Sequence, residues 1–150
     1  MGICISIYAF VSFSGSEAYY VEKDSSGEII DNEIFDSFGN VHVNESGNLE
    51  TQGVLVNTAA FSKLKVSGAK QIYEILNDQK NYQSSGYYKI GADLLAGTYV
   101  LQSEGEGYVA TLTGGVGKND IIDNEIFNGR YKVTVSNSQY LKISKAVISK

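Results

Sequence analysis

Seven consecutive residues occur twice in this chain: Ile29-Ile30-Asp31-Asn32-Glu33-Ile34-Phe35 and Ile121-Ile122-Asp123-Asn124-Glu125-Ile126-Phe127. The spacing is 92 residues (121 − 29), and the match runs on to Val41 and Val43 against Val133 and Val135. Self-similarity on this scale within 150 residues predicts two related modules. Upstream, Tyr20-Val21 aligns with Tyr108-Val109 at a spacing of 88 (108 − 20). Downstream, residues 64–69 align with residues 141–146 at 77 (141 − 64). On that alignment the first module spans residues 1–72, with an insertion of about fifteen residues near 44–62. Residues 73–85 form a connector, and residues 86–150 the second module.

The second module reads as strands. Tyr87-Tyr88-Lys89-Ile90, residues 98–102 and residues 107–113 are candidates separated by glycine turns. Tyr131-Lys132-Val133-Thr134-Val135 and Tyr140-Leu141-Lys142-Ile143-Ser144 alternate apolar with polar, the period of a half-buried strand. Sixteen glycines, eleven tyrosines and no proline suit tight turns between pleated segments. The expected fold class is all-β: two related β-sandwich or jelly-roll-like modules in tandem. The first module begins late, so either residues 3–7 form a divergent first strand or that strand is missing. A missing strand leaves an edge that another segment or chain must cover. That predicts an intimate pair of modules or a homodimer. Where the first module meets the connector, Ile72, Ile75 and Leu76 lie at the spacing of one helical face, predicting a short helix with a stop at Asn77-Asp78. A strand through Ile72 and Tyr73 is the alternative.

The net charge of −5 and the lack of a Lys/Arg run disfavour direct nucleic-acid binding. A basic protein partner stays open. Cys4 is the only cysteine, so no intrachain disulfide forms, and Ile-Cys-Ile reads as a buried thiol. With His42 the only histidine, no Cys/His zinc site is expected. Residues 3–13 are too short an apolar run to span a bilayer and lack the charged start of a signal peptide. A soluble, cytoplasmic chain is therefore expected.

Residues 86–99, Gly-Tyr-Tyr-Lys-Ile-Gly-Ala-Asp-Leu-Leu-Ala-Gly-Thr-Tyr, resemble a repeat of the form Gly-x-Tyr-Lys-Val-Gly-x-Asp-Ile-Pro-Ala-Gly-Glu-Tyr. That repeat occurs in uncharacterised surface, lipoprotein and phage-associated proteins, mostly of Gram-positive bacteria. The later Ile-Ile-x-Asn-x-x-Phe block, Val133 to Val135 and Gln139 to Lys142 are similar to it as well. Leu94-Leu95 and Thr98 depart from the pattern, replacing Ile-Pro and Glu. The resemblance implies a small non-catalytic β-sandwich and supplies no catalytic residue. It would also allow a cell-surface location.

Asp31 and Glu33, with Glu28 and Asp36, place four carboxylates within nine residues; Asp120, Asp123 and Glu125 recur in the second copy. Such oxygens can hold calcium, but no Asp-x-Asp-x-Asp-Gly loop is present, so no metal or other cofactor is expected. Asp31-Asn32 and Asp123-Asn124 are expected to make turns anchored in the core by Ile29, Ile30, Ile34 and Phe35. His42, between two valines, should face solvent. Gly114-Gly115-Val116-Gly117-Lys118 lacks phosphate-loop spacing and reads as a hairpin turn. No nucleophile, base and orienting acid line up, so no enzyme is expected. Tyr19, Tyr20, Tyr87 and Tyr108, among many tyrosines, are candidate contact residues with the carboxylates above.

The expectation is a non-enzymatic binding or structural module acting through protein–protein or glycan contacts. The alternative is an intracellular acidic inhibitor, for example phage-encoded, blocking a basic nucleic-acid-binding surface of a target protein.

Overall fold

Val, Ile, Tyr and Thr runs punctuated by glycine form strands over most of the chain. The computed structural model describes residues 5–13, 17–44 and 48–149. Among the described residues strand makes up 58% and helix 11%, so the class is all-β with several antiparallel sheets. In order these are β1 (Ile5–Val11), β2 (Ala18–Lys23), β3 (Ile29–Phe35), β4 (Phe38–Asn44), β5 (Asn48–Thr51) and β6 (Val54–Asn57). Then come a 3-10 turn (Thr58–Ala60), α1 (Phe61–Leu64) and α2 (Ala69–Leu76). The chain continues with β7 (Gly86–Lys89), β8 (Gly97–Leu112), β9 (Ile121–Val135), β10 (Tyr140–Ser144) and β11 (Val147–Ile148).

Strand pairing defines the repeat more sharply than letters do. The first half holds two three-stranded sheets, β4-β1-β6 and β3-β2-β5. In the second half, the long β8 pairs with β9, β10 and β11, and β10 also pairs with β7. Val21 lies opposite Asn32 and Glu50, just as Ala110 lies opposite Asn124 and Lys142. Val11 lies opposite Phe38 and Val54, just as Gln102 lies opposite Arg130 and Val147. β2 therefore matches β8 at a spacing of 89 (110 − 21), one residue from the sequence alignment. β5 matches β10 at 92 (142 − 50), which replaces the alignment of residues 64–69 at 77. Those residues instead close α1 and open α2, with Lys65 left-handed at φ 59° and its N–H donating to the Phe61 and Ser62 carbonyls. Residues 48–57 are β5 and β6, counterparts of β10 and β11, so the first half's extra residues follow β6.

β8 is continuous where two strands were expected, and β9 runs unbroken through a heptapeptide expected to turn. A bulge at 103–106 bends the pair: Ser103 Oγ accepts from Gly129 N–H (3.1 Å) and donates to the Gly105 carbonyl (2.8 Å). Gly105 and Gly129 take φ +114° and +80°, a region that glycine enters without a Cβ penalty.

β7 has no counterpart among the described residues of the first half, since β1 matches the start of β8 instead. No described strand takes that place beside β5; the second half packs instead against residues of β1 to β4. Tyr87, Leu112, Val116 and Tyr140 pack with Phe10, Tyr20, Phe35 and Val41 in one core cluster. Phe10 and Phe35 stack at 4.5 Å, and Tyr20 meets Phe10 edge-on at 6.1 Å. The loop after β8 runs beside β4: His42 N–H donates to the Val116 carbonyl (2.7 Å) and Val116 N–H to that of Asn40 (2.9 Å). Gly115 is needed there, because a Cβ would collide with the Asn40 carbonyl oxygen. His42 is consequently half-buried rather than solvent-facing, and burial, with Lys118 and Lys89 adding, holds its pKa below the usual value.

The opposite face of β4 and β1 lies under α2. Ala69, Ile72 and Tyr73 are the buried helix positions; Ile75 and Leu76 are exposed, so the buried stripe is 69/72/73 rather than 72/75/76. Phe38 sits within 4.9–5.9 Å of the Tyr73, Tyr82 and Tyr88 rings, which draws Tyr73 inward. The Gly91-Ala92-Asp93 turn docks the start of α2. Asp93 accepts N–H bonds from Lys89 (2.8 Å) and Lys70 (3.1 Å), and the absence of a side chain at Gly68 lets it approach. Burial of Asp93 outweighs these bonds and pushes its pKa up to about 6.

Candidate interaction surface

The repeated heptapeptide forms β3 in full and the first half of β9. Asp31-Asn32 and Asp123-Asn124 therefore lie inside strands, not at turns. The local bond expected of a turn is nevertheless made: Asp31 Oδ1 accepts Asn32 N–H and Asp123 Oδ1 accepts Asn124 N–H, each at 3.0 Å. The isoleucines do not anchor the core. Ile29, Ile30 and Ile34 are 56%, 46% and 53% exposed, and Ile121, Ile122 and Ile126 are 56%, 51% and 59% exposed. Only Phe35 and Phe127 are buried.

Register explains the difference. Among the described residues β3 pairs only with β2 and β9 only with β8, so each is an edge strand. Ile30 and Ile122 fall at register shifts, which lets isoleucines on either side of Asn occupy one face. Ile29, Asn32 and Ile34 lie opposite Lys23, Val21 and Tyr19. Ile121, Asn124 and Ile126 lie opposite Leu112, Ala110 and Tyr108. The carboxylates point the other way, with Phe35 and Phe127.

The two copies use their carboxylates differently. In β3, Glu33 Oε1 accepts from Lys142 Nζ of β10 at 2.9 Å, a partly buried ion pair between the halves. Asp31 is partly buried opposite Glu22, and burial raises its pKa, with Glu33 adding against the Asn32 N–H bond. In β9, Asp123 and Glu125 are exposed, as is the preceding Asp120. Among the described residues none of these three forms an ion pair.

The remaining candidates divide. Glu28 is exposed, its N–H bonded to Asp24 Oδ1 at 3.0 Å. Tyr19 is at the surface, and the partly buried Tyr108 hydroxyl accepts from Asn124 Nδ2 at 3.2 Å. Tyr20 and Tyr87 lie in the core and offer no contact surface; Tyr87 Oη donates to the Gly114 carbonyl at 2.8 Å. Asp36 lines a feature the sequence did not reveal, an open cleft of about 580 Å³ between the halves. Glu33, Tyr82, Ser85, Lys142 and Lys145 share its wall. Burial, then Glu17, raises the Asp36 pKa against the pull of Lys142 and Lys145. These residues come together from β3, the connector and β10, distances in sequence that no local motif records.

Among the described residues no group of three or more His, Cys, Asp or Glu side chains is placed to hold a metal ion. No described helix is long and apolar enough to cross a membrane. Cys4 lies outside the described residues. Comparison with protein families, curated proteins and solved structures gives no match.

Proposed function

We propose that this chain is a non-enzymatic binding module that acts through protein–protein contacts made by β3 and the first half of β9. The observation that carries this reading is the outward placement of six isoleucines in two identical segments. A core requirement would explain identity at Phe35 and Phe127, but not at positions that face solvent. Exposed isoleucines clustered along the outer edge strand of a sheet are a feature of recognition surfaces. Glycan contact has less support, because Tyr20, Tyr87, Tyr88 and Tyr140 are consumed by the core. The inhibitor reading needs the carboxylates of both copies free on one face, whereas Glu33 is engaged by Lys142.

The test is crosslinking capture with the whole chain and with a variant carrying serine at Ile30, Ile34, Ile122 and Ile126. A partner held by the natural chain should be lost by the variant at equal thermal stability. Retention of the same partner by the variant contradicts the reading.

A further inference from the structure

We infer that the free edge of β9 along residues 121–128 accepts an extended segment of a partner protein in which lysine or arginine alternates with aliphatic residues. The inference rests on the protein-contact reading above and assigns the partner's chemistry. β9 offers unlike chemistry on its two faces: Ile121 and Ile126 on one, Asp123 and Glu125 on the other. A strand laid along this edge alternates its own side chains between the same two faces. Its aliphatic residues then lie beside the isoleucines and its cations beside the carboxylates.

The chain contains an example of the ionic half of this contact. In the first copy, the glutamate of the same heptapeptide takes Lys142 of β10, a strand that is not paired with β3, at 2.9 Å. Its counterpart Glu125 is exposed and unpaired among the described residues. A second copy of this chain pairs poorly in the register that sets the two heptapeptides opposite each other. Antiparallel self-pairing centred on Asn124 would set Asp123 against Glu125 twice, and like charges directly opposite repel. β3 is not an equivalent site, because its acidic face already meets the second half through Lys142.

Titrating the labelled full chain with a synthetic peptide alternating lysine and valine, and following backbone amide shifts, tests the assignment. Shifts confined to residues 121–128 are expected. Glu125→Lys should weaken binding about fivefold at low salt, and a glutamate–valine peptide should not bind. Ile126→Ser should weaken it further without altering the fold. Equal binding of the acidic peptide, or equal shifts along residues 29–35, overturns the assignment. If the lysine–valine peptide does not bind while the serine variant still loses its captured partner, this chemistry fails and the protein-contact reading survives. Retention of that partner by the serine variant removes both.

Discussion

β4 and the second half of β9 are the same strand in two settings. Phe38, Asn40 and His42 of β4 occupy the positions of Arg130, Lys132 and Thr134 of β9. In the first half this face lies under α2 and the tyrosine cluster; in the second it meets solvent. The contrast reverses at the heptapeptide. There the first copy has its acidic face engaged by the other half, and the second leaves its own free. One fold unit is thus used once as the inside of a pair and once as the outside. Identity of sequence does not bring identity of environment.

The largest effect should come from breaking the buried version of this shared strand. Phe38→Ala empties a fully buried site ringed by tyrosines and should cost about 3–5 kcal/mol in denaturant unfolding. Arg130→Ala, at the equivalent exposed position, should change stability by less than about 0.5 kcal/mol. Similar losses at both sites would erase the comparison.

Next comes the Asp93 turn of the second half, which docks the start of α2. The folded pKa, about 6, lies above the ordinary aspartate value, so the folded state holds the proton more tightly. This contribution to stability is full below about pH 4 and is lost as the pH rises through about 6. Unfolding free energy should fall by roughly 3 kcal/mol across that window, and Asp93→Asn should flatten the profile. A profile that rises over the same range contradicts the assignment.

Smaller still is the bridge between halves. A double-mutant cycle of Glu33→Gln with Lys142→Met should give a coupling of about 0.5–1 kcal/mol, since both side chains are partly exposed. Glu125→Gln should leave stability within about 0.5 kcal/mol of the parent. Equal effects of the two glutamine variants would mean that Glu125 has a partner as Glu33 does.

Much of the architecture was legible in the sequence, and the misreadings have physical causes. The duplication, the β class and the helix at residues 69–76 follow from letters and periodicity. The alignment of Leu64-Lys65-Val66-Ser67 with Leu141-Lys142-Ile143-Ser144 misled because apolar–polar alternation over a few residues does not separate a strand from a capped helical turn. The heptapeptide was misplaced for a related reason. Ile-Ile-Asp-Asn-Glu-Ile carries both a core signal and a turn signal, and the register shift at Ile30 and Ile122 decides which face the isoleucines take. The ion pair between Glu33 and Lys142 joins residues more than a hundred positions apart and has no local signature.

The central claim is that the repeated heptapeptide is a surface strand in both halves, with only its phenylalanines buried in the core. Thiol labelling of Ile34→Cys, Ile126→Cys, Phe35→Cys and Phe127→Cys, each with Cys4→Ser, measures this directly. The account predicts that the native protein labels at positions 34 and 126 almost as fast as the unfolded chain, while positions 35 and 127 stay protected. Protection of positions 34 and 126 until unfolding would contradict it.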